Sequence, residues 1–311
     1  YTLGITEHTC GTDNVKNLAN LAMLCGQIGK ESSGINPLRG QNNVQGACDM
    51  GAIHSLLPGY LKISDPAVRE RMEKAWGVEL PTNEGGRVTD FLEKAGEGTL
   101  KAFYCLGEDP ARSEPNSTMV IEHIKKLEFM VCQDIIMTET AKLANVVLPA
   151  SCFAEKDGTF TNTERRVQRV RKAVTPPGEA RVDWQIICEI STAMGYAMSF
   201  RHPSEIWNEM AGMAPSLAGI TYERIDKVGL QWPCPTGDHQ GTQFLHRGTF
   251  TRGKGLFTAI EFKPPAEVPD SDYPMILSTG RTLFNYNIGN MTRKTAAIEQ
   301  KQPENFIEIH R

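Results

Sequence analysis

The sequence predicts an α/β fold that contains a parallel β-sheet. Three short apolar strand patterns alternate with helical patterns along the middle of the chain. They cover residues 102–106, 129–133 and 145–148. This order is typical of parallel strands joined by right-handed crossover helices. Each strand pattern is followed by a turn or breaker residue, which supports strands over pieces of helix.

The helices are predicted from apolar periodicity and from capping residues. A first helix begins after Thr12 or Asp13, carries apolar residues at helical spacing through Ile28, and is expected to stop at Gly29. Further helices are predicted at residues 65–76, 116–127, 138–144 and 184–194, the last capped by Asp183, and from Ser204 onward. Residues 155–169 are polar and end in a basic run, which indicates a hairpin with a solvated cationic face.

Both ends of the chain are expected to be strands. Residues 1–6 are typical of the end of a strand that enters a glycine turn, residues 273–279 of a new strand, and residues 306–311 of an interrupted one. The chain also begins with Tyr1 instead of methionine. We therefore interpret it as an internal piece of a longer polypeptide.

Composition excludes several classes of protein. With 40% hydrophobic and 23% charged residues, the chain has the make-up of a globular protein. A net charge of −4 argues against a nucleic-acid surface, and no apolar run reaches the roughly 18 residues of a membrane helix. The 8 cysteines contain no Cys-x-x-Cys pair, which disfavours a zinc or iron–sulfur site here and favours a reducing, cytoplasmic compartment.

The most informative segment is residues 34–51, which read GINPLRGQNNVQGACDMG. It combines four glycines with five amide side chains and a single arginine, Arg39. Glycine allows the backbone to approach a ligand closely, and a guanidinium offers paired donors to a carboxylate or phosphate. By composition alone the segment is equally compatible with an ordinary long surface loop.

Acidic residues follow two of the predicted strands. Asp109 comes after the first strand, and Gln133 and Asp134 end the second. In parallel α/β sheets, ligands bind beyond the carboxyl ends of the strands. The two acids are therefore either helix caps and turn residues or acceptors for the hydroxyl and N–H donors of a nucleotide. No Gly-x-Gly-x-x-Gly sequence is present, so a nicotinamide site is not indicated.

Other polar residues carry weaker indications. Arg165 and Arg166 could pair with a pyrophosphate, but a solvated hairpin explains them equally well. His8 and Cys10 could act as a ligand or nucleophile, although isolated residues of these types are more often structural.

The chain as a whole resembles the catalytic subunits of molybdopterin-dependent formate dehydrogenases. The resemblance rests on GITEHTCG at residues 4–11, the segment at 36–51, GEDP at 107–110, VCQDIIMT at 131–138, VVLP at 146–149, GTFTN at 158–162, WQIICE at 184–189 and LSTGR at 277–281. The segment at 36–51 is the one most typical of formate dehydrogenases. The other strings occur more widely in the molybdopterin oxidoreductase superfamily.

This resemblance implies parallel, Rossmann-like αβα layers of the molybdopterin oxidoreductase fold. It implies three domains. Residues 1–41 would form the end of one dinucleotide-binding-like domain, residues 42–270 a second αβα cofactor-binding domain, and residues 271–311 the start of a C-terminal β-barrel. The implied cofactor is bis(molybdopterin guanine dinucleotide) with molybdenum or tungsten. The implied reaction is interconversion of formate and carbon dioxide, with electrons passing through a 4Fe–4S cluster to electron-transfer or hydrogenase-type subunits.

The resemblance also assigns roles to individual residues. Arg39 matches the arginine that holds formate. The matched cofactor-binding residues are Gly4, Thr6, His8, Gln41, Gly107, Asp109, Gln133, Asp134 and Asp183. No metal ligand is expected within this chain, because the family's cysteine or selenocysteine and its iron–sulfur cysteines lie upstream of the matched region. The chain by itself is therefore expected to be inactive.

Two alternatives stay open. Another molybdopterin oxidoreductase, such as a nitrate reductase, would also hold a planar anion with an arginine. A cofactor-free scaffold, like the molybdopterin-fold subunit of respiratory complex I, would be expected to lose its guanine-binding acids. The acids at Asp109, Asp134 and Asp183 are retained, which favours a cofactor-binding protein.

Overall fold

The computed structural model describes residues 1–309 of the chain. Contacts divide it into two compact units, each built from three separate segments. Unit 1 contains Tyr1–Glu84, Gly158–Val170 and Arg201–Leu277, and unit 2 contains Gly85–Asp157, Arg171–Phe200 and the segment that starts at Ser278. The domain boundaries implied by the family resemblance stay a prediction.

The regular elements are short and evenly spread. The α-helices are α1 (Leu3–Thr6), α2 (Gly11–Leu24), α3 (Val44–Asp49), α4 (Pro66–Trp76), α5 (Val88–Gly96), α6 (Pro110–Ser113), α7 (Ser117–Ile124), α8 (Asp183–Ala193), α9 (Pro203–Met213) and α10 (Ala296–Glu299). The strands are β1 (Leu56–Leu57), β2 (Leu61–Lys62), β3 (Ala102–Leu106), β4 (Phe129–Asp134), β5 (Val146–Pro149), β6 (Gly158–Thr161), β7 (Arg166–Val170) and β8 (Leu230–Gln231). Four 3-10 helices cover Pro58–Tyr60, Ala141–Leu143, Phe153–Glu155 and Thr292–Lys294.

Unit 2 contains the predicted parallel sheet, in the order β3-β4-β5. Cys105 of β3 lies opposite Cys132 of β4, and Cys132 lies opposite Val147 of β5. Because the strands are parallel, their carboxyl ends meet at one edge of the sheet. Asp109 and Asp134 therefore both lie at that edge, as the sequence predicts.

Helices α5 and α7 cover one face of this sheet. Their buried residues pack against the alternate strand residues that point the same way. The buried members of this core are Leu92, Cys105, Val120, Ile124, Met130, Cys132 and Ala141. On the opposite face, Tyr104, Leu106 and Phe129 are 41–48% exposed. The α/β class is confirmed, and α5 with α7 forms one helical layer.

Unit 1 is built around the antiparallel sheet β6-β7-β8 and helix α9. The hairpin predicted within residues 155–169 is confirmed as β6 and β7. Trp207 of α9 is 3% exposed, and its indole N–H donates to the carbonyl of Ile220 at 2.7 Å. This bond satisfies the polar atom of a buried tryptophan, whose side chain belongs to the same hydrophobic core as Val167 and Leu217.

Two predicted helices are shorter than expected. Helix α2 ends at Leu24 instead of Ile28, because Gly26 already adopts a left-handed backbone (φ 61°) and allows the chain to turn. The helix predicted at 138–144 is only the 3-10 turn Ala141–Leu143. The predictions at 65–76, 116–127 and 184–194 are confirmed to within a few residues by α4, α7 and α8.

The predicted terminal strands are wrong in the residues that the structure describes. The start of the chain contains α1 instead of a strand, and residues 273–279 and 306–309 form no strand. Ile276 and Leu277 are 78% and 87% exposed. An isolated strand leaves its backbone groups unpaired, so an alternating sequence without a neighbouring strand stays irregular.

One glycine of the informative segment has a steric requirement. Gly46 lies in α3, where the Asn43 side-chain oxygen accepts a hydrogen bond from the backbone N–H of Thr161 at 2.9 Å. A Cβ atom at position 46 would overlap that oxygen and would lie 3.2 Å from the Thr161 nitrogen. Glycine therefore lets the N-terminus of α3 join the hairpin that contains β6.

We expect Gly46→Ala to lower the free energy of unfolding by about 1–3 kcal/mol, because the overlap must displace Asn43 or the backbone of β6. Gly212→Ala is the matched control, since a Cβ there has nothing within 4 Å. Position 212 lies in α9, where alanine is expected to be neutral or to stabilise by up to about 1 kcal/mol. Urea unfolding followed by tryptophan fluorescence measures both variants, and equal stability would contradict the assigned role of Gly46.

Candidate functional site

The segment with Arg39 and Gln41 is irregular and lies directly before α3 in unit 1. Both side chains are exposed. The Arg39 guanidinium Nη1 lies 3.9 Å from Cys48 Sγ of α3. The segment therefore exposes one cation together with the amides of Asn36, Gln41 and Asn42, as a loop that binds an anion would.

A cluster of buried and half-buried polar side chains connects α3 to other parts of unit 1. We call Gln45, Asp49, Tyr60 and Trp232 the α3 anchor. Gln45 and Asp49, 7% and 1% exposed, lie one helical turn apart on the same face of α3. The Gln45 amide donates to Asp49 Oδ1 and to the Tyr60 hydroxyl, both at 2.8 Å, and the Trp232 indole N–H donates to Asp49 Oδ2 at 2.7 Å.

The electrostatics of the α3 anchor follow from burial. Burial raises the pKa of Asp49, although hydrogen bonds from Gln45 and Trp232 oppose the shift. Burial and the neighbouring Asp49 charge also raise the pKa of Tyr60, while the positive charge of Arg39 acts on it in the opposite direction.

The predicted pterin-binding residues Gly4, Thr6 and His8 lie in or just after α1, also in unit 1. The His8 ring Nε2 donates to the carbonyl oxygen of Gly4 at 2.9 Å, and both residues are exposed. The structure thus brings Gly4 and His8 together in one turn. Cys10 contacts Asn14 Oδ1 at 3.7 Å, which agrees with a structural role.

At the carboxyl edge of the parallel sheet in unit 2, the predicted residues Gln133 and Asp183 form one chain of hydrogen bonds. Gln133 is fully buried; its Oε1 accepts from the Tyr104 hydroxyl and its Nε2 donates to Asp183 Oδ1 at 2.9 Å. Lys156 forms an ion pair with Asp183 Oδ2 and donates to the carbonyl of Ser151 at 2.9 Å. Gln133 in this arrangement orients Asp183 instead of facing solvent.

Asp109 connects two turns at the same edge. It is 3% exposed, and its Oδ1 accepts from the backbone N–H and the hydroxyl of Thr140 at 2.9 and 2.7 Å. Its Oδ2 is buried and has no hydrogen-bond partner among the described residues. A buried acceptor without a donor is costly, so this oxygen is suited to a donor supplied by a ligand.

Asp134 and Gly107 complete this edge. Asp134 is half-buried, and its Oδ1 accepts from the backbone N–H of Ile135 at 2.7 Å. Burial raises the pKa of this carboxyl. The backbone N–H of Gly107 donates to the carbonyl of Gln133 at 2.9 Å, which holds the end of β3 beside β4.

These acceptors are of the chemical kind that the donor groups of a guanine nucleotide require. The Watson–Crick edge of guanine offers N–H donors and ribose offers hydroxyls, and Asp109 Oδ2, Asp134 and Asp183 are carboxylate acceptors at a single sheet edge. The position agrees with the general placement of ligands in parallel α/β sheets. Within residues 1–309, no group of three or more His, Cys, Asp or Glu side chains is arranged to hold a metal ion.

Arg165 and Arg166 bind protein acceptors in the structure. The Arg165 guanidinium lies 5.6 Å from the centre of the Trp232 ring and donates to the carbonyl of Thr242 at 3.2 Å. Arg166 pairs with Glu164 at 2.9 Å. These contacts favour the hairpin over a pyrophosphate site, but the prediction of a solvated cationic face is wrong, because both arginines are half-buried against protein groups.

Residues that sequence reasoning missed are Tyr60 and Trp232 in unit 1, and Tyr104, Thr140 and Lys156 in unit 2. Tyr104, Thr140 and Lys156 contact predicted site residues that lie 27 to 31 positions away in the sequence. Tyr60 contacts Gln45 and Trp232 contacts Asp49, 15 and 183 positions away, and neither Gln45 nor Asp49 was predicted. The one local indication is the Gln45 and Asp49 pair, whose spacing of four places both side chains on one face of a helix.

Comparison with known proteins identifies the family. The model of the molybdopterin oxidoreductase family matches residues 1–193. The chain belongs to the molybdopterin oxidoreductases. This molybdopterin oxidoreductase chain is 50% identical over 315 residues to the F420-dependent formate dehydrogenase 2 subunit alpha of Methanococcus maripaludis, covering 100% of this chain and 46% of the relative.

Two further relatives show the range of the similarity. Formate dehydrogenase H of Escherichia coli is 43% identical over 302 residues, which is 95% of this chain and 42% of the relative. The assimilatory nitrate reductase catalytic subunit of Bacillus subtilis is 39% identical over 322 residues, which is 99% of this chain and 45% of the relative. The molybdopterin oxidoreductase chain thus spans less than half the length of these relatives. None of the helices within residues 1–309 has the length and apolar character needed to cross a membrane.

Proposed function

We propose that the chain belongs to the catalytic subunit of a formate dehydrogenase that binds bis(molybdopterin guanine dinucleotide) and interconverts formate and carbon dioxide. The observation that carries this proposal is the exposed Arg39, which lies on a glycine- and amide-rich segment. The helix that follows this segment is fixed by the hydrogen bonds of the α3 anchor. The formate dehydrogenase relatives support it, since two of them are 43% and 50% identical over nearly the whole chain.

Arg39 binds the substrate in this proposal. Formate is a one-carbon carboxylate, and the planar guanidinium can donate two parallel hydrogen bonds to its oxygens. The bidentate contact also orients the C–H bond, because the carboxylate can no longer rotate freely. A molybdenum or tungsten centre, when bound, takes up the two electrons as formate becomes carbon dioxide and a proton.

The remaining predicted residues hold the cofactor in this proposal. Asp109, Asp134 and Asp183 accept hydrogen bonds from one guanosine, and Gln133 orients Asp183. Gly4, Thr6, His8 and Gln41 lie along the pterins, and the backbone at Gly107 approaches the dinucleotide. The proposal assigns no metal ligand to residues 1–309. A 4Fe–4S cluster, which residues outside this chain would hold, would supply the route by which electrons reach partner subunits. The free cysteines support a reducing, cytoplasmic location.

Metal analysis and a dye assay on the full-length protein test the proposal. We expect molybdenum or tungsten, GMP on acid hydrolysis, and formate-dependent reduction of a viologen dye. Nitrate-dependent oxidation of the reduced dye without formate activity would instead support the nitrate reductase that the Bacillus subtilis relative suggests. Protein without metal and without GMP would support the cofactor-free scaffold.

A further inference from the structure

We propose that residues 255–267 form a strap that Asn20 clamps along α2, and that this strap makes one wall of a cavity that holds the cofactor beside His8. Asn20 is then a positioning residue, because it acts on the cofactor through the strap. The inference rests on the proposed function, since that function brings a pterin to His8. All of the residues concerned belong to unit 1.

The Asn20 side chain pairs with the backbone of the strap in both directions. Its Nδ2 donates to the carbonyl oxygen of Thr258 at 2.7 Å, and its Oδ1 accepts from the backbone N–H of Thr258 at 3.0 Å. A carboxamide has a donor and an acceptor side by side, so it can pair with one backbone residue as a neighbouring strand would. Both residues are half-buried. This contact therefore joins α2 to a segment that is distant in the sequence.

Two further contacts lie on either side of the Asn20 clamp. Towards the end of α2, a Cβ atom at Gly255 would lie 2.7 Å from Met23 Sδ, so glycine lets the strap approach the helix closely. Towards the start of α2, Lys263 Nζ lies 3.6 Å from Asp13 Oδ2. The strap therefore runs along α2 in the direction opposite to the helix.

The Asn20 clamp contributes more to the position of the strap than the ion pair does. The Lys263 side chain is 68% exposed, and exposed ion pairs contribute little to stability. The two hydrogen bonds of Asn20 are half-buried, and their loss would leave the N–H and the carbonyl of Thr258 to be satisfied by water. Removal of the Asn20 carboxamide should therefore release the strap more than neutralisation of Lys263 does.

The strap and the start of α2 line a common cavity of about 670 Å³, which lies within the usual range of small-molecule sites. His8 lies on the helix side, and Ile260 and Phe262 lie on the strap side. Among residues 1–309, the carboxylates and the lysine that line the cavity are Glu7, Asp13, Glu261, Glu267 and Lys263. This excess of negative charge disfavours a phosphate. Carboxylates instead accept the N–H donors of a pterin ring, and the apolar strap side chains suit its flat faces.

Limited digestion of the full-length protein with chymotrypsin tests the clamp without any need for cofactor. Phe257 is 58% exposed and directly precedes Thr258. Cleavage after Phe257 requires the strap to leave α2, so its rate follows the population of the open strap. We expect Asn20→Ala to raise this rate about tenfold, and Lys263→Gln to raise it less than about twofold. Mass spectrometry identifies the fragments.

Two further variants show whether the carboxamide itself is responsible. Asn20→Gln keeps the donor and the acceptor on a side chain that is longer by one methylene, so it should restore part of the protection that Asn20→Ala loses. Asn208→Ala is the matched control, because Asn208 is an exposed asparagine in α9 of unit 1. It should leave the rate of cleavage after Phe257 unchanged. A general rise of cleavage outside the strap in Asn20→Ala would show loss of folding and would overturn the inference.

Cofactor retention tests the role of the cavity. GMP released by acid hydrolysis, measured at intervals during dialysis, gives the rate at which the full-length protein loses its cofactor. Because loss of the pterin from this cavity requires the strap to open, Asn20→Ala should raise the rate of loss by a factor similar to that for cleavage. Asn20→Gln should lie between Asn20→Ala and wild type, and Asn208→Ala should equal wild type.

The outcomes separate this inference from the proposed function. If the wild-type protein contains neither metal nor GMP, the proposed function fails, and the cleavage rates still decide whether Asn20 clamps the strap. If Asn20→Ala speeds cleavage but not loss of cofactor, the strap is not a wall of the cofactor cavity, so the inference is overturned while the proposed function stands. An unchanged cleavage rate in Asn20→Ala would overturn the clamp itself.

Discussion

Arg39→Lys should lower kcat/KM for formate at least about tenfold, a loss of roughly 1.4 kcal/mol of transition-state stabilisation. Lysine keeps the positive charge that offsets repulsion between formate and an anionic metal–sulfur centre. It loses the planar pair of donors, so formate is attracted but poorly oriented. Metal and GMP content of the full-length protein should be unchanged, which separates loss of orientation from loss of cofactor.

Arg39→Ala should lower kcat/KM for formate further than Arg39→Lys does, because the variant loses both the positive charge and the oriented donors. The KM of the alanine variant for formate should also rise. Arg252→Lys is the matched control: Arg252 is also an exposed arginine of unit 1 and has no assigned role. Wild-type turnover in both Arg39 variants would make Arg39 an ordinary loop residue and would refute the central part of the proposed function.

Asp134→Asn should weaken cofactor retention in the full-length protein by about tenfold to a hundredfold, on the order of 1–3 kcal/mol. The substitution replaces one carboxylate oxygen with an N–H donor, which would face the donors of guanine and leave a polar group unpaired. GMP released by acid hydrolysis after extended dialysis measures the fraction of protein that retains cofactor. Unchanged retention would argue against guanine recognition by Asp134.

The stability of the same variant serves as its control. Burial raises the pKa of Asp134 above its ordinary value of 3.8, so the charged carboxyl is less favourable in the folded than in the unfolded chain. The charged Asp134 therefore destabilises the folded chain at pH values above its raised pKa. This destabilisation disappears as the pH falls through the raised pKa towards 3.8. At neutral pH the uncharged asparagine should unfold no more easily than wild type, and lost cofactor cannot be ascribed to unfolding. Glu179→Gln, at an exposed acid of unit 2, should change neither property.

The parallel sheet could be predicted because each strand carries its own local pattern and its own turn. The same reasoning failed for residues 273–279, since alternation describes a strand but says nothing about whether a neighbouring strand exists. Helix α2 shows a second limit. Gly26 and Gly29 are both possible stops, and the sequence does not state which glycine first adopts the left-handed backbone.

For the site, the sequence could place residues at an edge but could not assign their contacts. The parallel topology brings Asp109 and Asp134 to the carboxyl ends of β3 and β4. The pattern of strands in the sequence was enough to predict this position. That Thr140 occupies one oxygen of Asp109, or that Lys156 pairs with Asp183, depends on packing between segments 27 to 31 residues apart. Whether the predicted residues bind cofactor and substrate stays a prediction.

The hydrogen bond between Gln133 and Asp183 has a consequence for the evolution of the family. The two positions are 50 residues apart in sequence and share one bond, with Gln133 fully buried. A substitution at position 183 leaves the buried Gln133 amide without its acceptor, and a substitution at position 133 removes one of the two partners of the half-buried Asp183 carboxylate, unless a second substitution restores the match. Positions 133 and 183 should therefore change together among homologous sequences, and a pair that varies independently would show that natural selection does not preserve this bond.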